Sequence, residues 1–226
     1  MNMTKIKAAT VTLRERWQQL TGLKYFWPVF LAAGLAFCVA ADRYDFVDLY
    51  LQLIIIYVGI NIILTVSLNL INGYMGEFSV GHAGFMAVGA YIASILTVYV
   101  FPQIAAGILF PAAILAGGMG AALVGLLVAI PSFKTRGDYL AIVTLAFGMI
   151  VKSVLENIDA VGGPRGLLGM EKLTTLPWVF FWAALSVWVI RNLVYSNFGR
   201  GVWSIREDEI ASDFMGVNTR QVKIIA

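Results

Sequence analysis

Six long apolar runs, at residues 25–41, 49–71, 85–101, 104–130, 139–155 and 178–194, dominate the chain and are separated by polar segments. Each approaches or exceeds the length a helix needs to cross about 30 Å of hydrocarbon. The pattern predicts an all-α polytopic membrane protein with about six transmembrane helices. The second run carries Asn61, Thr65, Ser67 and Asn69 at even intervals. The first two can share a helix face and hydrogen-bond across helices. The fourth run holds Gly117, Gly118, Gly120 and Gly125 among alanines, a density that suits close interhelical packing.

One stretch breaks the pattern. Residues 69–91, N-L-I-N-G-Y-M-G-E-F-S-V-G-H-A-G-F-M-A-V-G-A-Y, carry Gly73, Gly76, Gly81, Gly84 and Gly89, the only histidine, His82, and beside it Glu77 and Ser79. Glycine weakens a regular helix by about 1 kcal/mol per residue, and a lipid-facing helix gains nothing from such a run. Two readings fit. The stretch is either a broken helix lining a polar path, where freed backbone groups meet solute or water, or a glycine-rich connection packing two spans together. On the first reading Gly76, Glu77, Ser79, Gly81, His82 and Gly84 line or brace the path. A lone polar residue such as His82 also has a simpler role, as a hydrogen-bond partner inside the bundle.

Composition agrees with the spans: 60% of residues are hydrophobic and 13% charged, against roughly 45–50% and about 25% in soluble domains. The placement of positive charge gives an orientation. Residues 1–24 hold Lys5, Lys7, Arg14, Arg16 and Lys24, with Ile6, Leu13, Trp17 and Leu20 at helical spacing. They read as a basic, cytoplasmic amphipathic segment on the membrane surface or as a solvated tail. A cleaved signal ending at Val39-Ala40-Ala41 is the other option, but the long preamble and the run from Tyr25 favour a retained span. With the N-terminus cytoplasmic, Lys134, Arg136, Arg191, Arg200, Arg206, Arg220 and Lys223 also fall inside. Only Arg43, Lys152, Arg165 and Lys172 fall outside. Both ends are therefore expected in the cytoplasm, with the 157–177 connection outside. Loops of that length are usually functional or folded on their own account. The final residues, Val222-Lys223-Ile224-Ile225-Ala226, read as the start of a seventh span cut short. The chain is expected to be truncated before further C-terminal helices.

Candidate chemistry is sparse. There is no Gly-Lys dipeptide and so no phosphate-binding loop of the Walker type, and one histidine cannot build an H-E-x-x-H metal site. The single cysteine, Cys38, excludes an intrachain disulfide and a cysteine metal site. No catalytic pair, metal site or cofactor is expected, and any ATP would be bound by a partner. Lys152 and Glu156 read as a snorkelling pair at the end of the fifth run. The six runs contain no Asp or Glu, which weighs against an ion-coupled secondary transporter driven by protons; Glu77 is its one candidate group.

Four segments carry a family resemblance: S-V-G-H-A-G-F-M-A-V-G-A-Y from Ser79, R-G-D-Y-L-A-I-V-T-L-A-F-G from Arg136, V-G-G-P-R-G-L from Val161, and G-R-G-V-W-S-I-R-E-D-E-I-A from Gly199. In this order they resemble the permease subunits of bacterial ABC importers for branched-chain amino acids, the LivM-like family. Glu77–Gly81, E-F-S-V-G, also looks like the D-L-S-V-G element of related sugar permeases, which implies a shared broken helix in the path. Val161 stands where the family leads one to expect Thr. The 68 N-terminal residues match only as hydrophobic spans. Urea and short-amide importers have similar permeases.

The resemblance implies a transmembrane permease domain over 25–226, incomplete at its C-terminus and without an ATPase site of its own, in a bacterial inner membrane. It implies a second, homologous permease subunit, cytoplasmic ABC ATPase subunits and a periplasmic solute-binding protein as partners, besides membrane lipid, and no nucleic acid. It also implies a cytoplasmic coupling segment near 199–220 that docks on the ATPase, with a helix over 205–216. Ile205, Ile210 and Phe214 are expected on one apolar face of that helix, with Arg206, Glu209 and Ala211 beside them and Gly216 as its stop. The importer pattern E-A-A-x-x-x-G has glycine six residues after the Glu; Glu209 precedes Gly216 by seven.

Overall fold

The computed structural model describes residues 26–44, 47–100, 106–132, 138–170 and 172–225, with the backbone alone at 26–28, 106–108, 130–132 and 138. The amphipathic segment expected over 1–24 and the basic residues Lys134 and Arg136 lie outside the described residues. Six long helices answer to the six apolar runs: α1 (Phe26–Tyr44), α2 (Leu49–Asn69), α3 (His82–Ile95), α4 (Ala106–Ser132), α5 (Asp138–Asn157) and α6 (Leu176–Val194). Three short ones follow: α7 (Asn197–Glu207), α8 (Glu209–Phe214) and α9 (Thr219–Ile225). All regular elements among the described residues are helical, and five spans have the length and hydropathy to cross a membrane: Leu49–Met75, His82–Val100, Leu109–Ala129, Tyr139–Asn157 and Leu176–Val194. Helix α1, with 19 residues, is about 28 Å long and packs into the same bundle. This is an all-α polytopic membrane protein.

Several helices outrun the apolar runs that announced them. Helix α1 continues past Ala41 to Tyr44, so Asp42 and Arg43 belong to its last turn. Helix α5 continues to Asn157, whose side chain donates to the Ser153 carbonyl at 2.7 Å. Hydropathy marks where hydrocarbon ends, whereas backbone hydrogen bonding carries a helix into the interface until a stop signal intervenes.

The long helices pack in two groups. Helix α6 lies against α1 and α2, where Cys38, Ala41, Ile56, Leu176 and Val179 form a buried core flanked by Val47, Ile60 and Phe180. Helix α3 lies between α4 and α5. Its approach to α4 is set by glycine: a Cβ added to Gly117 would fall 2.5 Å from the Gly89 carbonyl oxygen. Asn61, expected to bond across helices, donates to the Tyr57 carbonyl of its own helix at 2.9 Å.

A second buried cluster lies beyond the end of α2. Met75, Val202 and Ile205 are buried together against Ile71, Tyr74, Phe198 and Val222, tying the end of α2 to α7 and α9. The 157–177 connection has its own structure. It forms short 3₁₀ turns at Asp159–Val161 and Gly163–Arg165, the second packed against α5, and Leu167 is buried.

Candidate functional site

The glycine-rich stretch interrupts the helical chain between two full spans, Leu49–Met75 and His82–Val100, and the interruption starts with the way α2 ends. Beyond Asn69 the helix widens into a π-helical turn, Leu70–Met75, and stops at Gly76, whose φ of 75° puts it in the left-handed region. The Gly76 and Glu77 amides both donate to the Ile71 carbonyl, a helix-terminating pattern that only glycine adopts without strain. A Cβ at Gly76 would also come within 3.0 Å of the Arg206 side chain. Residues 76–80 have no regular structure, and α3 begins at His82, three residues before the expected start of the third span.

Side chains hold this irregular backbone in place. Asn72 Oδ1 accepts from the Ser79 amide at 3.1 Å, and Thr144 Oγ1 of α5 accepts from the Val80 amide at 3.1 Å. Two backbone donors freed by the break are thereby satisfied without water, as a site near hydrocarbon requires. Gly81 presses on the same threonine: a Cβ there would sit 2.9 Å from the Thr144 carbonyl oxygen and 3.1 Å from its Cβ. Gly84, one turn on, faces Phe147 and Gly148 of α5, at 3.0 and 3.1 Å from such a Cβ.

The predicted path residues separate into three environments. Glu77 and Ser79 line a cavity of about 430 Å³, walled by Ile71, Met75, Phe85, Leu126, Leu140 and Thr144, with Lys223 and Ile224 of α9 at its edge. Gly84 lines a second groove of about 560 Å³ between α3 and α5, which reaches Lys152, Glu156 and Arg165. The Lys152–Glu156 pair there, 3.8 Å apart with both side chains largely exposed, is the surface pair expected and contributes little stability. His82 lines neither space. Its Nε2 lies 2.8 Å from Ser67 Oγ of α2. The same hydroxyl lies 3.0 and 2.9 Å from the Ile63 and Leu64 carbonyls, so it links the α2 backbone to the imidazole. His82 braces α3 against α2. Losing one such bond costs about 1 kcal/mol, so His82→Asn should keep uptake within about threefold of the parent protein, as measured by radiolabelled solute uptake.

The most polar feature is one that sequence reading missed. Lys223 Nζ is bonded to Glu77 Oε1 and lies 2.9 Å from Glu209 Oε1, with the three side chains 10%, 16% and 27% exposed. One ammonium thus joins the helix break, the first residue of α8 and the last described helix. Burial alone would lower the Lys223 pKa, but the hydrogen bonds and charges of Glu77 and Glu209 outweigh it and raise it above 10.5. A raised lysine pKa contributes stability that is lost only as pH rises through it, so the ammonium stays charged throughout the neutral range. The available signal was a lysine inside the apolar run V-K-I-I, which has to find a partner when its helix packs.

The expected coupling helix is two helices. Helix α7 ends at Glu207, and Asp208 breaks the chain with φ −161° and ψ 115°. Its side chain then caps α8, accepting from the Ile210 and Ala211 amides at 2.8 and 3.0 Å. Gly216, at φ 86°, ends α8, and the Val217 amide donates back to the Ser212 carbonyl at 3.1 Å. The shared apolar face is therefore corrected. Ile205 belongs to α7 and is buried against Met75, Arg206 packs near Gly76, and Glu209 is held by Lys223. Ile210, Phe214 and Met215 are exposed at 56%, 87% and 85%. Ile210 and Phe214, four residues apart, share a face of α8.

Fold and composition define a multi-pass membrane protein with an irregular, glycine-rich segment between its second and third long helices. Comparison with known proteins gives its lineage. Residues 50–226 match the family described as branched-chain amino acid transport system / permease component, and the chain belongs to that family. The high-affinity branched-chain amino acid transport system permease protein LivM of Escherichia coli K12 is 30% identical over 231 residues, covering 87% of this chain and 51% of that protein. The protein of the same name from Salmonella typhimurium LT2 is 32% identical over 202 residues, 74% of this chain and 46% of its own length. A probable branched-chain amino acid transport permease protein LivM from Methanocaldococcus jannaschii is 27% identical, covering 77% of this chain and 61% of that protein. The chain thus spans about half the length of the curated relatives it matches. No solved structure matches it.

Proposed function

We propose that this chain is the core of a permease subunit in an ATP-driven importer that carries branched-chain amino acids across a bacterial inner membrane. Its partners are a homologous second permease, cytoplasmic ABC ATPase subunits and a periplasmic solute-binding protein; ATP is bound by the ATPase and not by this chain. The observation that carries the reading is the family match across residues 50–226, which includes both the helix break and the segment after α6. Charge placement supports the orientation. The break, the start of α5 and helices α7–α9 gather at one end of the bundle, together with Arg200, Arg206, Arg220 and Lys223, and that end is cytoplasmic. The exposed apolar pair Ile210 and Phe214 then faces the side where an ATPase binds.

Substrate choice is tested by competition. Leucine uptake by the assembled transporter should be suppressed by isoleucine and valine in excess and unaffected by urea or acetamide; suppression by urea instead would assign a short-amide importer. Orientation is tested by labelling Leu168→Cys in a Cys38→Ala background, position 168 being exposed in the 157–177 connection. A membrane-impermeant maleimide should react from the periplasmic side. Reaction from the cytoplasmic side alone would reverse the topology.

A further inference from the structure

We propose that Lys223 is a positioning residue that couples the ATPase-docking segment to the helix break, through a contact with Glu77 that opens and re-forms in each transport cycle. The inference rests on the importer reading above. Its basis is the position of one ammonium between two carboxylates on separate elements. Glu77 is the first residue beyond the left-handed Gly76, in the only irregular stretch between α2 and α3, and it lines the cavity. Glu209 is the first residue of α8, which carries the exposed Ile210 and Phe214. Lys223 is on α9, which packs against α7 and α8.

The rest of the contact network makes this joint the movable one. Helix α8 is held to α7 by a single extended residue, Asp208, and leaves toward α9 through the left-handed Gly216. These two capped junctions set α8 off as a separate short element. The apolar cluster of Met75, Val202 and Ile205 anchors α7 to the end of α2 and does not include α8. Lys223 provides a charged link from α8 to the break, through Glu209 on one side and Glu77 on the other. A pull on α8 shifts Glu209, the ammonium follows one carboxylate or the other, and Glu77 is released or recaptured. Three features suit the pair to switching: it is buried enough to be strong, it bridges elements 146 residues apart, and its second carboxylate offers the ammonium an alternative partner.

The test uses the complete transporter, with partner permease, ATPase subunits and binding protein, in proteoliposomes. The readout is solute transported per ATP hydrolysed, beside the amount of ATPase that co-purifies. Lys223→Met should keep co-purification within twofold while the transport-to-hydrolysis ratio falls at least fivefold; Lys223→Arg should restore most of the ratio. A ratio unchanged in Lys223→Met, with transport and hydrolysis falling together, would overturn the proposal and leave Lys223 a purely structural group. Should Lys223→Met fail to assemble, the isosteric Glu77→Gln carries the same test, and an unchanged ratio there overturns it equally. If no ATPase co-purifies with the unmodified chain, the importer reading itself fails, an outcome distinct from either.

Discussion

Replacing Gly81 by Leu should reduce uptake at least tenfold while the protein still inserts into the membrane, and Gly84→Leu should do the same. At Gly81 even a methyl group would press on the Thr144 carbonyl at 2.9 Å, a backbone atom that cannot rotate away. Leucine adds three further carbons, so α3 and α5 have to separate. Overpacking of this kind costs about 1–3 kcal/mol, and it also pulls Thr144 Oγ1 from the Val80 amide, leaving a freed donor near hydrocarbon. Gly84→Leu acts one turn further along the same seam, against Phe147 and Gly148. The cause is therefore displacement of the helix break and not obstruction of an open channel. Thr144→Val separates the two, because it removes the acceptor at constant volume. It should impair uptake in the same direction but less than Gly81→Leu. Uptake near normal in both glycine variants, measured at equal membrane abundance, would show that the α3–α5 seam has no part in transport.

Phe214→Ala and Ile210→Asp should each lower co-purification of the ATPase about tenfold or more and uncouple transport from hydrolysis. Both side chains are exposed on α8, and Phe214 at 87% touches almost nothing within the chain. A Phe so placed gains about 2 kcal/mol when buried in a partner's cleft, which is roughly 30-fold in affinity. An aromatic at the centre of a small docking surface usually carries a large share of its binding energy. Ile210→Asp goes further by placing a charge in that interface. Ile205, by contrast, is a core residue: Ile205→Ala should lower stability by about 2–5 kcal/mol, without a specific effect on docking. Thermal unfolding of detergent-solubilised protein, read beside pull-down of the ATPase, distinguishes the two classes. If Phe214→Ala and Ile210→Asp both retain the ATPase and full uptake, docking lies elsewhere.

How far the sequence could be read depends on what each feature is made of. The spans were legible because hydrocarbon imposes a length and a composition together, and each of the six apolar runs became a helix. An interruption there was legible because glycines and polar residues cluster where a continuous helix gains nothing; Gly76 with its positive φ and Gly81 against Thr144 give that cluster its reason, and both the path-lining and the connecting reading are compatible with it. The break at Asp208 was misread as continuous helix. Arg206 to Phe214 has helical spacing throughout, and the signal against it was an Asp placed to cap Ile210 and Ala211. Ile205 was assigned to the wrong surface for that reason. The Lys223 cluster was out of reach, since nothing local pairs Glu77 with a residue 146 positions away. Only packing of α9 beside the break brings them together. His82 shows the converse: as the sole histidine beside Glu77 and Ser79 it invited a path role, and its partner is a serine on the neighbouring helix.

The source of energy is the most direct test of the account. Leucine uptake into proteoliposomes carrying the complete complex, with solute-binding protein outside and ATP enclosed, should require ATP at the ATPase face. It should persist when ionophores collapse proton and sodium gradients. Uptake that proceeds without ATP and follows an imposed ion gradient would contradict the account and return the chain to the secondary transporters.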